Sequence, residues 1–309
     1  MSTHSELDIQ GDKVKVSNLE KVFYPKTGFT KGDMIDYYIR ISSSLLPHLQ
    51  KRPITLKRYP DGATGFFFYE KQCPSPRPKN VKTTDVRRSD GTIIHYAMIN
   101  DLVSLVLAAN LANLELHTFL HTAPALTRPT ALAFDLDPGP PADAVLCCHV
   151  ALRLKAIFDA AGLQCFPKTS GSKGIQVYVP LNTALTYDKT KLFAHAMAEL
   201  LEKQSPDVIV SRMQKNLRKG KVFVDWSQND EHKTTVNVYS LRAKEDPMVS
   251  TPLKWEEVRA VVKKKDSRII VFETEDVLKR VKKMGDLFAP VLTLKQKLPP
   301  SPREYEVSS

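Results

Sequence analysis

The sequence predicts an α+β fold with antiparallel or mixed sheets and flanking helices. Apolar runs of period two, such as Leu132-Ala133-Phe134-Asp135-Leu136-Asp137 and Val222-Phe223-Val224-Asp225, mix with helical patterns without a strict strand-helix-strand rhythm. Gln164-Cys165-Phe166-Pro167 and Ile175-Gln176-Val177-Tyr178-Val179 flank a short turn like the arms of a hairpin. No G-x-G-x-x-G follows a strand-like run, which argues against a dinucleotide fold.

The elements follow in order. Residues 1–12 read as a loose lead, 13–292 as one domain with parts at about 13–126 and 127–292, and 293–309 as a flexible tail. Lys13 to Val16 alternates like a short strand. Thr30 and Asp33 have the spacing of a capping box, opening a helix to about Ser43 with Met34, Ile35, Tyr38 and Ile39 inward. Pro60-Asp61-Gly62 and Pro74-Ser75-Pro76 mark turns. Ile93 to Ala97 reads as a strand leading into an apolar helix over 101–116, with His117 at its end. The strand around Phe134 stops at Pro138-Gly139-Pro140-Pro141, and Asp143 to Ala161 is a helix closed by Gly162. A helix over 187–203 precedes short strands at Val208 to Val210, Lys221 to Asp225 and Thr235 to Tyr239. Thr251-Pro252 opens a further helix, and a last one covers about 275–284.

Composition bounds the function. Of 309 residues, 42% are hydrophobic and 26% charged, enough for a globular core. Lys and Arg number 45 against 34 Asp and Glu, a net charge of +11 that favours a polyanionic partner, although solubility alone would accept the same balance. The four cysteines, Cys73, Cys147, Cys148 and Cys165, lack metal-ligand spacing, which argues against structural zinc. The N-terminus has no basic-then-apolar leader, and residues 102–116 are too short and too polar to span a membrane, so a reducing cytoplasm is expected.

The chemistry lies in three segments. Asp135 and Asp137, two apart on a strand, leave the same face and repel unless a cation sits between them. Asp225, on a second strand-like run, is a third carboxylate for a pair of Mn²⁺ or Mg²⁺ ions about 3.5–4 Å apart. Standing alone, Asp-x-Asp-Pro-Gly is more often a surface turn. Ser170-Gly171-Ser172-Lys173-Gly174 offers backbone N–H groups, two hydroxyls and an ammonium to a phosphate, where an isolated motif would pass for an ordinary hairpin turn. Arg218, Lys219 and Lys221 precede Asp225 and are either phosphate neutralisers or a solvated basic face. Arg242 suits a cleft or an ion pair. Phe66-Phe67-Phe68 beside Lys71 suits core packing or base stacking.

Taken together, Asp135-Leu136-Asp137-Pro138-Gly139, Ser170 to Gly174 and Val224-Asp225-Trp226-Ser227-Gln228-Asn229 resemble the three motifs of the archaeo-eukaryotic primase superfamily. The likeness is to the polymerase domain of bacterial ATP-dependent DNA ligases of non-homologous end joining, from about Val14 to Leu292. Asn18-Leu19-Glu20-Lys21-Val22-Phe23-Tyr24-Pro25, Thr30-Lys31-Gly32 and Gly285-Asp286-Leu287-Phe288-Ala289-Pro290 also resemble that family.

The resemblance implies an RRM-like catalytic core with an N-terminal DNA-end and 5′-phosphate-binding part. It implies that Asp135, Asp137 and Asp225 hold two metal ions, and that Ser170, Ser172 and Lys173 contact the triphosphate. His117, Arg218, Gln228 and Arg242 would line the nucleotide pocket, with Gln176 where many relatives have histidine. Asn18, Lys21 and Lys31 would receive the 5′-phosphate at a gap, and Phe67 and Phe68 would meet the DNA break. The expected partners are DNA ends or gaps, NTPs or dNTPs, and, as candidates, Ku and a separate ligase. The expected setting is the nucleoid.

The resemblance also implies a preference for ribonucleotides. No ligase or nuclease motif is visible, so a free-standing polymerase is expected. Rival readings are a primer-independent primase, which the motifs do not separate from a gap filler, a non-catalytic end-bridging protein, and a metal-dependent nuclease. Intact carboxylates at all three positions disfavour the bridging protein, and the Ser-Gly-Ser-Lys-Gly turn disfavours the nuclease.

Overall fold

Hydrogen-bond register sorts most strands of the computed structural model, which describes residues 4–75, 79, 81–88, 90–299 and 301, into a six-stranded and a five-stranded sheet. In chain order the elements begin with β1 (His4–Ile9), β2 (Asp12–Ser17), β3 (Val22–Tyr24), β4 (Phe29–Thr30), α1 (Lys31–Leu49), β5 (Pro53–Arg58), β6 (Phe68–Glu70), β7 (Lys82–Arg87) and β8 (Ile93–Met98). Next come α2 (Leu102–Asn110), β9 (Asn113–Thr118), β10 (Ala131–Pro138), α3 (Ala144–Ala160), β11 (Phe166–Thr169), β12 (Ile175–Pro180) and α4 (Tyr187–Gln204). The chain ends with β13 (Ile209–Val210), β14 (Val222–Asp225), β15 (Thr235–Val236), α5 (Trp255–Lys264), α6 (Thr274–Met284) and α7 (Pro290–Thr293). This is the α+β class with mixed sheets. No helix among the described residues is long and apolar enough to cross a membrane.

The chain divides into two units. Unit one comprises Met1–Leu126, Thr234–Ser250 and Phe272–Gly285; unit two comprises Thr127–Lys233, Thr251–Val271 and Asp286–Ser309.

In unit one the sheet order is β15-β9-β5-β8-β7, with β6 also on β5. Helix α1 has its capping box, with Asp33 N donating to Thr30 Oγ1 at 3.1 Å and Thr30 N to Asp33 Oδ2 at 2.7 Å. It runs past Ser43 to Leu49 because Met34, Tyr38, Ile41, Leu45 and Leu49 continue one buried stripe. The expected helix over 101–116 is wrong in its second half. It ends at Asn110, the backbone turns left-handed at Ala112 (φ 61°), and the next residues form β9. Leu114-Glu115-Leu116-His117 alternates with period two, a change hidden by continuous apolar character, so His117 sits within a strand. Within the expected loose lead, residues 1–3 lie outside the described residues and His4–Ile9 forms a strand. β1 pairs with β2 from His4 opposite Ser17 to Ile9 opposite Asp12.

In unit two the order is β11-β12-β10-β14-β13, antiparallel except for the parallel β13–β14 pair. Phe134 meets Phe158 of α3 at 5.8 Å between ring centres. Helix α3 therefore covers the Leu132, Phe134 and Leu136 face, and Asp135 and Asp137 take the opposite one. Pro252 does not open a helix. It bridges to Lys168, Thr169 N donates to Thr251 O at 2.8 Å, and α5 starts at Trp255. The expected tail is held as far as Gln296, whose amide donates to Pro180 O at 2.8 Å and Gln164 O at 3.0 Å. Residues 302–309 lie outside the described residues.

Candidate nucleotide and nucleic-acid site

In unit two, a transverse row of side chains crosses four strands. Asp135 of β10 pairs with Asp225 of β14 on one side and with Gln176 of β12 on the other, and Gln176 pairs with Lys168 of β11. Directly opposed residues present side chains to the same face, so Lys168, Gln176, Asp135 and Asp225 stand in line, with Asp137 one step along. Lys168 is fully buried. Burial pushes Asp135 up to about 7, the charge of Asp137 adds to this, a hydrogen bond from Gln176 opposes it, Asp225 raises it further, and Lys168 lowers it.

Asp135 Oδ1 is buried and has no hydrogen-bond partner among the described residues. A buried carboxylate oxygen of that kind beside two further carboxylates is a donor set suited to a hard divalent cation. Among the described residues, no three His, Cys, Asp or Glu side chains already converge as a metal-holding group. Asp225 Oδ1 accepts from Ser227 N at 2.9 Å and Ser227 Oγ at 2.5 Å, and Oδ2 accepts from Gln228 Nε2 at 2.9 Å. A carboxylate has about four lone-pair sites, so these bonds orient Asp225 without exhausting it.

The turn between β11 and β12 is built around Ser170, which is buried. Its Oγ accepts from Ser172 N and Gly174 N, each at 3.2 Å, and its N–H donates to Gly174 O at 3.0 Å. Ser172 and Lys173 are left exposed at the tip. Gly174 is required by close approach, since a Cβ there would lie 2.1 Å from Leu136 O. The absence of a side chain therefore seats the turn against β10 beside Asp137. Arg218 lies 3.7 Å over the Phe223 ring and donates to Met213 O at 2.7 Å, and Phe223 pairs with Asp137 across the ladder.

In unit one a second polar centre surrounds Glu115. Its Oε2 accepts from Lys57 Nζ at 3.2 Å and bonds His117 Nε2 at 2.8 Å. Its Oε1 accepts from Tyr59 Oη at 3.2 Å and Ala243 N at 3.0 Å, with Arg242 Nε at 3.4 Å. Burial would raise Glu115, but the His117 hydrogen bond and the charges of Arg242, His117 and Lys57 outweigh it and hold the carboxyl well below its usual range. Burial lowers His117, against the pull of Glu115.

The residues expected at a 5′-phosphate lie at the start of α1. Lys31 Nζ is buried and donates to Ser17 O at 2.6 Å and Asn110 Oδ1 at 2.8 Å. Lys21 Nζ reaches Pro60 O at 2.6 Å and Asp61 Oδ1 at 3.2 Å, and Asn18 has a left-handed backbone at φ 54°. Core packing does not describe the phenylalanine run. Phe66 and Phe67 are exposed, whereas Phe68 is half-buried. Phe67 stacks on Tyr59 at 5.3 Å, and Phe68 lies 5.2 Å beneath the Arg58 guanidinium.

Lys57, Tyr59, Glu115 and Lys168 were missed in the sequence as parts of a site. Glu115 looked like a polar interruption of a helix, and only the period-two alternation of 114–117 could have revealed it. Lys168 had no local signal at all, because its position depends on pairing with β12.

The comparisons agree with one another. A family model described as LigD, primase-polymerase domain, matches residues 30–288. The multifunctional non-homologous end joining protein LigD of Mycolicibacterium smegmatis is 36% identical over 286 residues, covering 91% of this chain and 36% of that protein. The bifunctional LigD of Bacillus subtilis is 34% identical over 275 residues, 88% of this chain and 43% of that protein. The chain therefore spans about 36–43% of the length of these relatives. The solved polymerase domain of Mycobacterium tuberculosis Ligase D, in complex with DNA, superposes with a TM-score of 0.84 at 35% identity, covering 92% of this chain and 99% of that one.

Proposed function

The chain belongs to the LigD primase-polymerase domain family, DNA-directed nucleotidyltransferases, and on that premise we propose that it fills gaps and extends 3′ ends at DNA breaks, with ribonucleotides preferred. The observation that carries this reading is the pairing of Asp135 with Asp225 on the face that also bears Asp137. Asp135, Asp137 and Asp225 would hold Mn²⁺ or Mg²⁺, two ions on the primase-superfamily pattern. Such ions would supply charge neutralisation for a triphosphate and acidify the primer 3′-hydroxyl.

The protein's own groups do the rest. Ser170 shapes a turn whose exposed tip, Ser172 and Lys173, offers donors to phosphate oxygens. Gln176 and Gln228 orient Asp135 and Asp225 by hydrogen bonds, so their role in nucleotide binding is indirect. Arg218 adds a cation beside the Asp137 strand. In unit one, Lys57 and Arg242 offer cations to a phosphate, and His117 lines the nucleotide pocket beside them. Asn18, Lys21 and Lys31 take the 5′-phosphate of a downstream strand, and Phe67 and Phe68 stack at the break. Positioning and charge neutralisation supply most of the acceleration in phosphoryl transfer of this kind. A Ku-type end binder and a DNA ligase activity would complete repair in the nucleoid.

The test is incorporation of labelled NTPs and dNTPs into a gapped duplex bearing a 5′-phosphate, with and without Mn²⁺. Cation-dependent, template-matched incorporation with ribonucleotides ahead is expected. No incorporation with either cation would contradict the proposal. Chain synthesis on a template without a primer would instead favour a primase role.

A further inference from the structure

We propose that Glu115 is a positioning residue for nucleotide recognition, holding the cations of Lys57 and Arg242 in place for an anionic group and fixing the orientation and tautomer of His117 beside them. This rests on the polymerase reading above. The side chain of Glu115 is only 2% exposed, whereas those of Lys57, His117 and Arg242 are 12%, 13% and 16% exposed. The carboxylate thus lies beneath three partly open side chains. Five groups converge on its two oxygens, including Tyr59 Oη and Ala243 N. Its lone pairs are then fully used, so it takes no ligand itself.

Lys57 is further fixed by the rings of Tyr59, Phe67 and Tyr69, which lie 5.2, 4.6 and 5.5 Å from its ammonium. Tyr24 and Tyr38, the other titratable groups near Glu115, are buried phenols held neutral.

The geometry also sets the His117 tautomer. An ionised Glu115 only accepts, so Nε2 carries the proton and donates to it, and Nδ1 is left to face other groups. Burial and the charges of Arg242 and Lys57 disfavour the charged ring, against the pull of Glu115, the direction this assignment requires.

Nitrogen-15 NMR of the histidines in the full chain, assigned by His117→Gln, tests the tautomer directly. The Nε2–H form is expected; a dominant Nδ1–H form would overturn the proposal. In gap filling, Glu115→Gln is expected to raise the nucleotide KM by about tenfold or more, as loss of charged hydrogen bonds does, with DNA affinity unchanged. Lys57→Met leaves His117 and Arg242 on the carboxylate, and therefore serves if Glu115→Gln does not fold. It should also raise the nucleotide KM more than it lowers kcat. An unchanged nucleotide KM in the folded variant would overturn the proposal.

A wild-type protein that incorporates nothing would count against the polymerase reading, and the Glu115 arrangement is then tested separately by nucleotide binding. The NMR signature, and its shift when GTP is added with Ca²⁺, would still report on Glu115. A His117 signal indifferent to GTP would then count against it.

Discussion

Asp225 stands directly across the β10–β14 ladder from Asp135. A slip of one residue would move its carboxylate to the opposite face, so the site depends on register as much as on composition. Asn229 helps to hold that register. Its side chain accepts from Ala133 N at 3.0 Å and donates to Ala133 O at 2.8 Å, two residues before Asp135. The same loop carries Ser227 and Gln228, which orient Asp225, so one segment fixes both the strand and the carboxylate.

Gly174→Ala should damage the phosphate turn. The added Cβ meets a backbone carbonyl at 2.1 Å, an obstacle that no side-chain rotation relieves. The expected result is a stability loss of about 1–3 kcal/mol in urea unfolding and a raised nucleotide KM. Wild-type values for both would show that the turn does not need its close seat on β10.

Lys21→Ala combined with Lys31→Ala should weaken the preference for a 5′-phosphorylated gap over a 5′-hydroxyl gap, measured as a ratio of affinities. The preference should also depend on pH. Burial, then the charges of Lys21 and Arg58, lower Lys31 from 10.5 to about 8. The phosphate remains a dianion between pH 7 and 9, so loss of the Lys31 proton is expected to reduce the preference as pH rises through about 8. The stability effect has the opposite sign. Between about pH 8 and 10.5 the unfolded chain binds more protons at Lys31 than the folded one, so this group adds stability as pH rises. A phosphate preference that is flat from pH 7 to 9 would count against Lys31.

Phe67→Ala should lower affinity for DNA ends by about 1–3 kcal/mol, the usual worth of an aromatic stacking platform. The ring is 46% exposed, so folding stability should change little. An unaltered affinity for blunt and recessed ends would remove the stacking role.

Much of this site was legible because it is local. Asp135 and Asp137 share a face by strand period alone, and the Ser-Gly-Ser-Lys-Gly turn lies between two arms that do pair. Asp225 was recognisable as a strand carboxylate, but its place opposite Asp135 depends on a ladder between segments about 90 residues apart, and came only through resemblance. Lys168 and Glu115 were hidden for different reasons. Lys168 becomes part of the row only through the β11–β12 register, and Glu115 was lost when the apolar run 102–116 was read as one helix. Left-handed Ala112 marks the break, and alanine carries no turn signal.

On the proposed function, Asp135, Asp137 and Asp225 jointly hold the catalytic cations. The most direct test compares Mn²⁺- and Mg²⁺-dependent nucleotide incorporation at a gap by wild type and Asp137→Ala, with DNA binding measured in parallel. Asp137→Ala is expected to bind DNA with near wild-type affinity and to extend nothing at any cation concentration; extension at a near wild-type rate would rule out the shared metal site.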